Sequence, residues 1–251
     1  MGQLVLAFHG CDISTRDALI RGDLHTLDHS TNPYDWLGTG IYFFLSDHER
    51  ALKLAKFVSE NPSRMLTKRP IISPAVIGCV LDIDRWLDLT SEAGRRNFVA
   101  AARSLHSAAE TAAKVADREL ALPKNRPAFD GDTDIIYRAY DCAVCNMIHA
   151  IRKGECEKAM LAGDTKKMLG TLPYQATVSA FNQGNPIDGS AICDGSHTQV
   201  AVHDDSCIRG WFLLRGDKLL ADDQYLLAKQ SVATAMELRS KSKKRVLAPS
   251  S

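Results

Sequence analysis

The spacing of apolar residues changes period twice along the chain, and this change is the strongest constraint on its fold. Between residues 95 and 120, Phe98, Ala102, Leu105, Ala109, Ala112, Ala116 and Leu120 recur at the spacing of one helix face. Ile136, Tyr140, Ala143, Met147 and Ile151 repeat the pattern, and Gly154 is read as its stop. A third helix is expected over 155–169. On either side the apolar runs are short: Leu4 to Phe8, Ile41 to Phe44, Val76 to Leu81, Gln199 to Val202 and Ile208 to Leu214 read as strands. Leu219 to Arg239 reads as a last helix. Strands, then helices, then strands again describe one α+β domain over 1–240 with a helical insertion at about 90–170, not alternating βαβ units. Residues 241–251, with Lys241, Lys243, Lys244 and Arg245, read as a basic flexible tail.

The punctuation between these runs is informative. Residues 22–40 are rich in Gly, Asp, Asn, Thr and Pro and show no periodicity, so they read as a long loop. Loops of that length inside a compact domain are usually functional. Ser46-Asp47-His48-Glu49 has the form of a capping box with Ser46 as the cap, opening a helix to about Ser59. Gly38-x-Gly40 lacks the third glycine and the βαβ setting of a dinucleotide fingerprint.

Composition narrows the function classes. Lys plus Arg is 31 and Asp plus Glu is 30, so the net charge of +1 gives no global attraction to nucleic acid or to an acidic membrane. No apolar run approaches the roughly 20 residues that cross a bilayer, and the first residues lack the basic start of a signal peptide. Gly2 is followed by Leu6 where a myristoylation motif needs Ser or Thr. Seven cysteines, an odd number in a large chain, read as free thiols of a cytoplasmic protein. Cys142-x-x-Cys145 is the one close pair. His149 and Cys156 do not repeat its spacing, so no metal site is expected.

Three features carry chemistry: Phe8-His9-Gly10 after the first strand, Gly38-Thr39-Gly40-Ile41-Tyr42-Phe43-Phe44, and Ser196-His197-Thr198-Gln199 near a late strand. In order and strand context they resemble the ADP-ribosyltransferases, in the branch of diphtheria toxin and the poly-ADP-ribose polymerases. That family has a His-Gly on one strand, a Tyr inside Gly-x-Gly-Ile-Tyr-Phe, and a Glu at the start of a late strand. The likeness covers residues 4 to 60 and about 181 to 214. It implies a split β-sheet core and NAD as co-substrate. His9 and the Gly10 backbone would hold the ribose and the carboxamide, and Tyr42 would stack on the nicotinamide ring. The residue types suit this: imidazole offers one donor and one acceptor, glycine admits close backbone approach, and a phenol ring is flat. The plainer readings are a structural histidine for His9 and a core tyrosine for Tyr42.

Gln199 stands where the family places its Glu, and no Glu lies between Glu157 and Glu237. A glutamine can bond a ribose hydroxyl but cannot act as a carboxylate base. Chain-making activity is therefore not expected. Glu110, Glu119, Glu155 or Asp194 could substitute, or the acceptor could need little activation. The leading expectation is a toxin-like or regulatory mono-ADP-ribosyltransferase that releases nicotinamide from NAD and modifies a protein or nucleic acid. His9, Tyr42 and Gln199 would carry catalysis, and His9, Gly10 and Tyr42 would bind the cofactor. Gln183, Gly184 and Gly189 would face the acceptor. The alternatives are a non-catalytic NAD or ADP-ribose binding module on the same fold, and a structural protein whose helical block binds a partner. His197 and His203 read as surface or loop residues, and Trp36 as packing.

Overall fold

In a computed structural model, residues 2–247 are described, except 65, 129, 130 and 133. In chain order the elements are β1 (Gln3–Asp12), α1 (Ile13–Arg21), β2 (Ile41–Leu45), α2 (His48–Glu60), β3 (Pro74–Ile83), β4 (Trp86–Asp88), α3 (Glu92–Ala116), β5 (Asn125–Arg126), β6 (Tyr137–Arg138), α4 (Ala139–Leu161), α5 (Thr165–Gly170), β7 (Ala176–Phe181), β8 (His197–Val202), β9 (Ile208–Phe212) and α6 (Asp222–Leu247). The class is mixed α+β. The chain forms two compact units. One is built from Met1–Leu4, Asp28–Leu45 and Asp82–Cys207, the other from Val5–Leu27, Ser46–Leu81 and Ile208–Ser251.

The first unit carries strands in the order β4-β7-β8-β2. β4 and β7 are parallel, and β8 runs antiparallel to both β7 and β2. The register sets Ile41 opposite Val202 and Phe43 opposite Val200, so one face is apolar and closed to water. The alternate residues form the other face: Tyr42 opposite Ala201, Phe44 opposite Gln199, Thr177 opposite Ala201 and Leu87 opposite Thr177. The helical block covers this second face. Leu87 packs with Ala101 of α3 and with Val144 and Ile148 of α4.

The second unit holds β1, β3 and β9 with α1, α2 and α6. Phe8 meets Phe212 edge-on at 5.9 Å. α1 buries polar side chains along its length, among them Arg16 and Asp17. Asp12 caps α1, accepting from Ser14 N and Oγ at 2.9 and 2.6 Å, and it also accepts from Ile72 N and Ser73 N at 2.8 and 2.9 Å.

Four local expectations are corrected. β1 does not stop at Phe8 but runs to Asp12, because Gly10, Cys11 and Asp12 are all buried; His9 and Gly10 lie inside the strand. The cap of α2 is Asp47, which accepts from Arg50 N at 2.8 Å, one residue later than the capping box places it. Ser46 has φ +54 and gives its N–H to the Leu6 carbonyl. Gly154 does not end a helix. α4 passes through it because Val144, Cys145 and Ile148 before it and Ala159 after it are buried, outweighing a glycine cost of about 1 kcal/mol. The chain turns instead at Gly163, φ +67. α6 extends to Leu247, so 241–247 belong to a helix, and 248–251 lie outside the described residues.

Candidate functional site

The long loop 22–40 is pinned along 32–39 by one stripe of α4. Cys142 Sγ donates to Asn32 O at 3.7 Å, Cys145 Sγ to Trp36 O at 3.3 Å, and Asn146 Oδ1 accepts from Thr39 N at 2.9 Å. These three positions share a helix face by their spacing. The Cys142-x-x-Cys145 pair thus serves loop carbonyls. Burial pushes the Cys142 thiol up to about 11 and Cys145 higher still, so both stay protonated. All seven cysteines are free, and among the described residues no group of three or more His, Cys, Asp or Glu side chains could hold a metal ion.

Tyr42 closes the end of this loop. Its hydroxyl donates to Gly38 O at 2.8 Å and accepts from Leu37 N at 3.0 Å. Gly38 needs its φ of +87 for that turn. The ring packs against a cluster of Trp36, Leu37, Phe181 and Ala201. Burial, reinforced by the charge of Asp35, holds the phenol well above its ordinary value, so it is neutral at any physiological pH.

Gln199 sits diagonally across from Tyr42 on the same face. Its Oε1 accepts from Trp36 Nε1 at 2.6 Å, and its Nε2 lies 3.1 Å from His197 Nε2. His197 Nδ1 lies 2.8 Å from Gly195 O, a pure acceptor, so Nδ1 carries the proton and Nε2 of the neutral ring receives from Gln199. The His197 ring stacks on Phe181 at 5.3 Å and meets Phe44 at 5.1 Å. His197 is therefore a half-buried strand residue, not a surface one. Arg138 lies over Trp36 at 4.3 Å and over Phe181 at 5.3 Å, and pairs with Asp141 at 2.5 Å. A cation thus lies over both rings. Sequence reading missed Arg138; its place at the start of α4 was the available signal.

Tyr42 and Gln199 are brought together on paired strands of one unit. His9 and Gly10 belong to the other, on β1. Gly10 has a packing reason of its own: a Cβ there would stand 2.2 Å from the Ala51 carbonyl of α2. Two of the carboxylates considered as substitutes already have partners. Glu155 accepts from Lys167 at 3.1 Å and Lys158 at 3.4 Å, and these lysines hold its carboxyl below the usual range. Asp194 accepts from Asn185 N at 3.0 Å and shapes the loop that carries Gln183, Gly184 and Gly189. Asp134 accepts from Gly184 N at 3.1 Å and ties that loop down. Comparison with protein-family models, curated proteins and solved structures gives no match.

Proposed function

We propose that the chain is an NAD-dependent mono-ADP-ribosyltransferase on an ADP-ribosyltransferase-like split sheet, moving ADP-ribose to a protein or nucleic-acid acceptor with release of nicotinamide. What supports this reading is the pairing of β2 with β8, which puts Tyr42 and Gln199 on one face of the sheet. Tyr42 offers a ring held at fixed depth by two hydrogen bonds. Gln199 offers an amide to a ribose hydroxyl. His9 and Gly10 enter through the sequence resemblance alone. The reaction breaks the glycosidic carbon–nitrogen bond, nicotinamide leaves with the bonding pair, and the acceptor nucleophile forms the new bond and loses a proton.

The amide at 199 favours a second reading. Gln199 is already a donor to His197 and has no carboxylate to stabilise an oxocarbenium-like state. A module that binds NAD or ADP-ribose without turnover fits that chemistry. Purified protein with labelled NAD, protein and nucleic-acid fractions and the Tyr42→Ala variant separates the two. Label in one fraction that is lost in Tyr42→Ala establishes the transferase. Saturable NAD binding without nicotinamide release establishes the module. Neither result removes both.

A further inference from the structure

A second set of polar groups in the first unit centres on β7. Thr177 of β7 is fully buried, and its hydroxyl has two histidine neighbours: His203 Nε2 at 2.8 Å and His149 Nε2 at 3.1 Å. His203 Nδ1 is 2.6 Å from the Thr39 carbonyl. The two rings lie 4.0 Å apart between centroids. His203, read from the sequence as a surface or loop residue, lies in the loop just after β8, half-buried and bonded on both nitrogens.

These contacts fix every proton in the line. A carbonyl only accepts, so His203 Nδ1 carries its proton and, in a neutral ring, Nε2 accepts from the Thr177 hydroxyl. The Thr177 oxygen then accepts from His149 Nε2–H. His149 Nδ1 is left as a bare lone pair, with no hydrogen-bond partner among the described residues. Both rings are neutral: burial, with the neighbouring His203 and Arg152, pushes His149 down to about 3, and burial pushes His203 to about 4.

His149 lines a cavity of about 650 Å³ together with Lys153, Tyr174 and Arg85. Lys153 is one helical turn on from His149 and shares its face. Its side chain is 72% exposed, and its one ion-pair partner among the described residues is Glu157 at 4.0 Å. Arg85 uses Nε on the Pro173 carbonyl and stands 3.9 Å from Asp204 through one terminal nitrogen, leaving the other, Nη1, without a partner among the described residues. The acidic groups of the lining are already engaged: Asp205 with His29 at 2.6 Å, and Asp204 with Arg85 and the Ser206 N–H. Among the groups left to meet a ligand are one neutral acceptor at the wall and two cations, beside Thr39, Asn146 and the Tyr174 hydroxyl.

We propose that this cavity is a second ligand site that takes a hydroxylated phosphomonoester, its phosphate against Lys153 and Arg85 and a hydroxyl donating to His149 Nδ1. Two cations suit a phosphate dianion, and the fixed lone pair rejects a group that has no proton to give.

The test uses the full chain and nitrogen-15 NMR of its histidine rings. In the free protein His149 Nδ1 is expected at the chemical shift of an unprotonated ring nitrogen. Ribose 5-phosphate should move that resonance saturably, and ribose alone, inorganic phosphate and gluconate should each bind about tenfold more weakly or worse. Lys153→Ala, an exposed change that leaves the relay intact, should keep the free shift and weaken ribose 5-phosphate by about tenfold. A protonated Nδ1 in the free protein, no shift with ribose 5-phosphate, gluconate binding as well as the phosphate, or unchanged affinity in Lys153→Ala would each overturn the proposal.

Discussion

Trp36 Nε1 donates to Gln199 Oε1 across 2.6 Å, and this one bond decides which way round the Gln199 amide lies. The N–H groups of the amide are thereby turned to His197. A carboxylate at 199 could still accept from Trp36 but has nothing to give to His197 Nε2. In Gln199→Glu, His197 is therefore expected to take a second proton, visible as a doubly protonated ring in nitrogen-15 NMR at pH 7. If the amide is what limits the proposed reaction, the same variant releases nicotinamide faster than the parent by about tenfold or more, because a carboxylate supports the positive charge of the transition state. A His197 that stays neutral removes the argument for the amide orientation.

Tyr42→Phe tests the loop anchor separately from the ring. The phenylalanine keeps the flat face but leaves Leu37 N–H and Gly38 C=O without their shared partner. A loss of about 1–3 kcal/mol in unfolding free energy is expected by denaturant titration. NAD binding by stacking should survive better in Tyr42→Phe than in Tyr42→Ala. Equal loss in both would show that the hydroxyl, not the ring, is what matters.

His149 and His203 give the fold a pH dependence of known sign. Both are held neutral in the folded protein, down to about 3 and about 4, against an unfolded value near 6.5. Below about pH 6.5 the unfolded chain binds protons that the folded chain refuses. Stability is thus complete above that pH and falls as pH drops from about 6.5 toward 4, with a slope of up to about 1.4 kcal/mol per pH unit for each histidine. Urea titrations at pH 7 and pH 5 measure it. Replacing both rings by Phe should flatten this part of the profile, whatever the variant's absolute stability.

Asp12→Ala should be among the most damaging single changes in the second unit. One carboxylate accepts from four donors on two chain segments, and its side chain is nearly sealed from water. Removing it strands buried N–H groups, at a cost of about 3–5 kcal/mol. Asp12→Asn, which keeps one acceptor oxygen, should lose clearly less in the same melt. Similar losses in the two variants would mean that the charge, not the acceptor geometry, is what the segment needs.

What the sequence made legible was whatever depends on neighbours along the chain. β2, β8, β9 and α3 follow from local period and β-branched content, and their bounds move by only a few residues. The course of α4 through Gly154 was hidden because buried contacts on both sides, not local propensity, keep it helical. α1 was missed because its buried face is polar: Ser14, Thr15, Arg16 and Asp17 look like a solvated surface until their partners are known. The candidate site divides the same way. Tyr42 and Gln199 stand out from motif strings. His149, Thr177 and His203 have no local signal, since what gathers them is the register of β7 against β8 and the rotation of α4.

The partners of α1 set an order of events during synthesis. Arg16 bonds the Lys218 carbonyl at 2.8 Å and stands 3.4 Å from Asp217, and Asp17 receives Leu220 N at 2.8 Å. These bonds span about 200 residues, so α1 leaves the ribosome with Arg16 and Asp17 paired only to each other, long before their outer partners exist. The second unit must wait, partly assembled, while the whole first unit is made. Any shortened product that ends before residue 217 leaves the Arg16–Asp17 pair without the Lys218 carbonyl and the Leu220 N–H that complete its bonding.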